Sequence, residues 1–139
     1  MEIKQLSWQQ VLPIRHHVLW PDKPPLFCKV EGDDTAYHYG YFIAEELVCV
    51  ASIFIDDDNV SISARLRKFA TLEQYQGQGI GTQLIKHVIN ELKSLNVNYL
   101  WCDARITAVG FYQQFNMVEQ GSQFQKSGIR YIQMRGEII

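Results

Sequence analysis

The sequence predicts an α/β fold in the broad sense, a mixed β-sheet of the α+β kind flanked by helices. Three observations carry that expectation. Residues 36–71 hold three runs rich in aromatic and β-branched side chains, the composition of strands. From Ile80 to Leu95, apolar residues recur at helical spacing. Tyr99-Leu100-Trp101-Cys102 is a short apolar run suited to a buried parallel strand.

The elements follow in order. Ile3–Leu6 reads as a short first strand, and Ser7 with Gln10 as a capping box for a helix reaching about Leu19. Pro13 is expected to disturb that helix, which leaves its start open. Trp20-Pro21-Asp22-Lys23-Pro24-Pro25 breaks it into a loop. Ala36–Ala44 and Leu47–Ile55 read as strands, with Glu45-Glu46 as the hairpin turn between them. Asp56-Asp57-Asp58-Asn59 forms the next turn, and Val60–Thr71 the third strand of a meander. In the following helix, Ile80, Leu84, Ile85, Val88, Ile89, Leu92 and Leu95 share one face. The unit from Val60 to Cys102 should make a right-handed crossover. Ala108, Phe111, Tyr112 and Phe115 mark a short second helix on this side, and 117–125 with 129–138 pair around Ser127-Gly128.

Composition bounds the function. With 139 residues, 47% apolar and 20% charged, residues 1–139 are expected to form one globular domain. The net charge of −2 offers no electrostatic reason to expect nucleic acid or an anionic membrane surface. Cys28, Cys49 and Cys102 fit no zinc or redox spacing, and the latter two lie in apolar runs where a buried thiol is expected. The opening residues MEIKQLSW lack an apolar signal core, and VCVASIFI (residues 48–55) is too short to span a bilayer. A reducing, cytoplasmic setting is the expectation. The acidic turn at 56–59 is no EF-hand loop, because Ser61 and Arg67 stand where glycine and glutamate are required. No metal constellation emerges.

The chemistry concentrates in Gln74-Tyr75-Gln76-Gly77-Gln78-Gly79-Ile80-Gly81-Thr82, between a strand and an amphipathic helix. Backbone amides of such a turn, with the helix N-terminus behind them, favour an anion such as phosphate or pyrophosphate. The alternative is a connection that needs positive φ for packing alone. A Walker A loop would require a lysine that is missing, and a dinucleotide fingerprint would require a small residue where Thr82 stands.

Gln76-Gly77-Gln78-Gly79-Ile80-Gly81 resembles the Arg/Gln-x-x-Gly-x-Gly/Ala signature of the GNAT N-acetyltransferase superfamily. Ala108-Val109-Gly110-Phe111-Tyr112 resembles the family's later Ala-x-x-Phe-Tyr motif. The resemblance is strong over residues 61–117. Asn116-Met117 departs from the family's frequent Gly-Phe, although asparagine tolerates the left-handed helix stop and Met117 can act as an apolar plug. Asp103 stands where the family often has an asparagine.

The resemblance implies the GNAT-like acyl-CoA N-acyltransferase fold and acetyl-CoA as co-substrate, with no metal. It places the pyrophosphate on Gln76, Gly77, Gln78, Gly79, Ile80, Gly81 and Thr82. The pantetheine arm would run beside Phe69, Ala70 and Thr71, with Ala108 and Phe111 also at the cofactor. Tyr112 is implied as the general acid that protonates the leaving sulfur; simple packing with Phe111 and Phe115 is the alternative. Glu73, His38, Asp103 and Glu45 are base candidates by residue type alone. Tyr37, Tyr39 and Tyr41 either line an acceptor site or pack in a core or dimer, and His38 alternates to the opposite face. His16 and His17 belong to the first helix, where they meet solvent or a neighbour rather than a metal. The acceptor is a small-molecule or peptide amine, and a homodimer through exposed strand edges is compatible with the architecture. A coenzyme A-binding module without turnover and a nucleotide-binding protein are the competing functions.

Overall fold

Ser7 opens the first helix in the computed structural model, which describes residues Met1–Ile139. Its hydroxyl accepts from the Gln10 amide while the Gln10 side chain accepts from the Ser7 amide, a complete capping box. The helix, α1 (Trp8–Leu19), runs unbroken through Pro13, which corrects the expected disturbance. Pro13 and Gln9 are both exposed, so the carbonyl that Pro13 cannot bond faces water. A 3-10 turn, Pro25–Cys28, follows the proline-rich loop.

The strands are β1 (Glu2–Leu6), β2 (Tyr37–Ile43), β3 (Glu46–Asp57), β4 (Ile62–Thr71), β5 (Tyr99–Arg105), β6 (Val118–Lys126) and β7 (Ile129–Glu137). With α2 (Ile80–Ser94) and α3 (Val109–Gln113) they complete the mixed seven-stranded sheet and three helices of the expected fold class. The hydrogen-bonded order is β1-β2-β3-β4-β5-β7-β6. The β4–β5 pair is parallel, whereas β1–β2, β2–β3, β5–β7 and β7–β6 are antiparallel. The first hairpin turns at Ala44-Glu45, both at positive φ, one residue earlier than expected. Ser127-Gly128 turns the last hairpin, also with both residues at positive φ.

The chain divides into two compact units, one of Met1–Phe54 and Leu66–Val88 and the other of Ile55–Arg65 and Ile89–Ile139. In the first, His38 and Ser52 are paired across β2 and β3 and meet α1 through Arg15. The alternate residues meet α2: Tyr41 donates to Gln83 Oε1 at 3.0 Å, and the Tyr39 ring lies edge-on to His87. This two-sided cover leaves every residue from Val48 to Ile53 buried. Of the alternatives for the tyrosines, Tyr39 and Tyr41 take core packing, and His38 does face the other way.

In the second unit, Leu100, Cys102 and Ala104 alternate inward and pair with Gly136, Met134 and Ile132. Met117 plugs this face, and a Cβ on Gly136 would come within 2.9 Å of its Cγ. Asn116, at φ 62, supplies the left-handed stop before it. The opposite face carries Arg65 over Trp101 and Arg135 over Tyr99.

Candidate functional site

The glycine turn has the conformation that only glycine adopts without strain. Gly77 and Gly79 sit at φ 75 and 80, and a Cβ on either would meet nothing within 4 Å. Their need is therefore conformational, and the space beside the backbone stays open. Ile80 and Gly81 begin α2, where no carbonyl lies four residues back inside the helix to accept their amides. The turn is pinned to the end of β4 by Gln76, whose Nε2 donates to the Thr71 carbonyl at 2.9 Å. Tyr75 donates to Glu46 and the Leu72 amide to the Val48 carbonyl. Phe69–Thr71 and Gln76–Thr82, two stretches singled out in the sequence, thus stand together in the first unit.

β4 contains an irregularity that the sequence did not signal. Lys68 lies at φ 54 inside the strand, a conformation costing a side-chain-bearing residue about 1–3 kcal/mol. The rungs joining β4 to β5 are Ser63–Tyr99, Ala64–Leu100 and Arg65–Trp101.

Ala108, Phe111 and Tyr112 belong to the second unit. Ala108 precedes α3, and the Phe111 ring contacts both Tyr112 and Phe115 edge-on. Tyr112 is 7% exposed. Burial pushes its phenol well above the ordinary value, and the neighbouring Cys102 adds to the effect. Its hydroxyl donates to the Cys102 thiol, itself pushed up to about 12 by burial and by Asp103. Both groups stay protonated at neutral pH.

A second constellation escaped the sequence reading. Arg15, fully buried, makes a two-pronged ion pair with Asp33 (Nη1–Oδ2 2.8 Å, Nη2–Oδ1 2.9 Å). It also donates to the Cys28 carbonyl and to Ser52 Oγ. His38 Nε2 lies 2.9 Å from the Asp33 carbonyl, which can only accept, so that nitrogen carries the proton. Nδ1 then accepts from the Ser52 hydroxyl at 2.7 Å. Burial lowers the His38 pKa, the Asp33 hydrogen bond opposes this, and the Arg15 charge reinforces it. Burial by itself would raise the Asp33 carboxyl, but Arg15 and the Val30 amide outweigh it and hold it below its ordinary value. One signal was available: Arg15 falls on the stripe of Val11, Ile14 and Val18, where an arginine needs a buried partner.

Beside α1 lies a groove of about 540 Å³ lined by Leu12, Pro13, Ile14, His16, His17, Pro25 and Leu72.

A family model for the acetyltransferase (GNAT) domain matches residues 28–138. The chain belongs to the GNAT acetyltransferase family. Its likeness to the uncharacterized N-acetyltransferase YitI of Bacillus subtilis (strain 168) is 34% identity over 134 residues, 93% of this chain and 90% of that one. The fold is also that of two solved N-acetyltransferases. The ribosomal-protein-S18-alanine N-acetyltransferase of Escherichia coli matches at TM-score 0.79 and 20% identity, over 99% of this chain and 93% of that one. An aminoglycoside 6'-N-acetyltransferase complexed with coenzyme A matches at TM-score 0.80 and 13% identity, over 100% and 98%.

Within this GNAT chain the base candidates separate. His38 is buried inside the Arg15 cluster, with both ring nitrogens hydrogen-bonded. Asp103 accepts from Arg65 Nη2 at 2.9 Å and lies 3.7 Å from Lys126 Nζ. Glu45 and Glu73 are exposed.

Proposed function

We propose that this GNAT domain, residues 1–139, transfers the acetyl group of acetyl-CoA to a primary amine by direct attack in a ternary complex. The observation that carries this reading is the glycine turn. Two glycines at positive φ, with open space beside their backbone, lead into a 15-residue helix whose dipole favours an anion. The backbone of residues 76–82 would hold the pyrophosphate. Phe69–Thr71 would pair with the amides of the pantetheine arm as an added strand. The amide of Phe69 or Ala70 would face the thioester oxygen, as a donor for developing negative charge. Ala108 and Phe111 would border the cofactor.

Acetyl-CoA supplies the activated acyl group; the chain supplies proximity, which can be worth several kcal/mol. Direct attack is favoured over a cysteine relay by the thiols themselves. Burial raises all three cysteines, Cys49 to about 11 and Cys102 to about 12, the reverse of what an activated nucleophile needs. Tyr112 would turn its proton from Cys102, a weak acceptor, toward the leaving sulfur. With its pKa raised it would act there as a hydrogen-bond donor, coenzyme A would leave as the thiolate, and the proton lost by the attacking amine would pass to a base or water chain.

Isothermal calorimetry with acetyl-CoA, followed by thiol release with a panel of amines, tests the proposal. Saturable binding and amine-dependent release are expected. No heat at millimolar acetyl-CoA overturns the reading. Binding without release from any amine leaves the non-catalytic coenzyme A module in its place.

A further inference from the structure

The open face of the sheet in the second unit is cationic, although the whole chain carries a net charge of −2. The odd-numbered residues of β5 and β7 share this face, since Leu100, Cys102 and Ala104 point the other way, and each stays at least partly exposed. Arg65, Arg105, Lys126 and Arg135 stand here against only two carboxylates, Asp103 and Glu137. Aromatic rings hold three of the cations in place. Arg65 lies 4.5 Å from the Trp101 ring centre, Arg135 3.6 Å from that of Tyr99 and Lys126 5.3 Å from that of Tyr131. The same three meet the carboxylates, Arg65 and Lys126 at Asp103 Oδ2 and Arg135 at Glu137.

Arg105 meets neither carboxylate. Of the four cations it is the one without an ion pair. It stands across the β5–β7 ladder from Tyr131, whose ring stacks on Phe124 at 5.8 Å and also carries Lys126. A guanidinium fork matches a planar carboxylate, and the ring pair beside it offers apolar surface. The cluster also stands near the proposed chemistry. Burial and Cys102 raise the Tyr112 phenol and Arg105 opposes them, so the Arg105 charge reaches the hydroxyl assigned to the leaving sulfur. Arg65–Trp101 is the last rung between β4 and β5, and both strands run on beyond it. Asp103 and Arg105 stand on the part of β5 thus freed from β4.

We infer that Arg105, with Lys126 beside it, takes a carboxylate of the acceptor, and that the acceptor is an amino acid. The inference rests on the acetyl-transfer reading for its chemistry. The amine nitrogen bonds to the acetyl carbon, the C–S bond breaks, and the amine's proton passes to a base or water chain. A cationic surround also favours the neutral form of the amine, which is the form that attacks. Polyamines are disfavoured, since each further ammonium meets the local excess of positive charge.

The test uses the full chain and a matched pair of probes, L-phenylalanine and 2-phenylethylamine, which differ only in the carboxylate. At constant pH, with or without coenzyme A, L-phenylalanine should shift the Arg105 Nε–H and Tyr131 ring signals in NMR saturably, while 2-phenylethylamine and spermidine do not. With acetyl-CoA, L-phenylalanine should exceed 2-phenylethylamine in kcat/KM by about tenfold or more, the worth of a hydrogen bond to a charged group. Arg105→Gln should abolish that ratio, Arg105→Lys should keep part of it, and both should bind acetyl-CoA as the parent does. Saturable shifts without acetyl-CoA binding uphold the carboxylate site and overturn acetyl transfer. Acetyl-CoA binding without those shifts overturns the site alone, as do equal rates for the pair or an Arg105→Gln variant that keeps the parent's ratio.

Discussion

Tyr112 shows how burial redirects a residue's role. Removed from water and bonded to the Cys102 thiol, its phenol is a poorer acid than tyrosine in solution, yet a donor that stays protonated at neutral pH. Tyr112→Phe is expected to lower turnover by about a hundredfold, the low end for such proton help, while the acetyl-CoA dissociation constant is unchanged. Steady-state kinetics beside calorimetry checks both parts; unaltered turnover with chemistry rate-limiting removes Tyr112 from the mechanism. Gly77 and Gly79 pose the opposite case, in which absence of a side chain is the function. Alanine at either meets no atom, so the stability loss should be only the left-handed backbone cost of about 1–2 kcal/mol. Acetyl-CoA affinity should fall much further, because the added Cβ would stand in the open space through which the pyrophosphate approaches the backbone. Denaturation and calorimetry on the same variants separate the two effects.

At the level of elements, one buried arginine ties α1 to several neighbours at once. Arg15 joins α1 to the 3-10 turn at Cys28, to Asp33 and to β3 at Ser52. A buried ion pair need not outperform an apolar pair, but breaking it by halves strands a charge. Asp33→Ala should therefore cost about 3–5 kcal/mol in urea denaturation. Arg15→Met combined with Asp33→Ala should recover part of that loss, and a double variant no better than the single one would show the pair to be incidental.

Across the whole molecule, the same cluster sets the response to acid. The His38 pKa in the fold is below its ordinary 6.5, so between those two values the unfolded chain binds a proton that the folded chain does not. Stability from this group is fully present above about 6.5 and is lost as pH falls toward the lowered value. Asp33 acts in the same direction further down, below its ordinary 3.8. Urea midpoints measured from about pH 7.5 to about pH 5 should therefore fall. His38→Gln, less stable at neutral pH, should show a flatter slope, and equal slopes would place the acid sensitivity elsewhere.

The sequence by itself determined the order of elements, the capping box at Ser7, the glycine turn and the family motifs. Each depends on neighbours within a few turns of chain, where propensity and periodicity act directly. It also foretold that His38 would oppose the tyrosines, because strand alternation is local. Pro13 misled, since whether water can satisfy the carbonyl of Gln9 depends on which side of α1 faces out. Tertiary structure alone decided that β7 lies between β5 and β6, that Tyr39 and Tyr41 serve the core, and that Arg15, Asp33, His38 and Ser52 converge. It also decided the groove, whose walls come from α1, Pro25 and Leu72. These arrangements join residues far apart along the chain, and their energies arise only when water is excluded from between them, which no local pattern records.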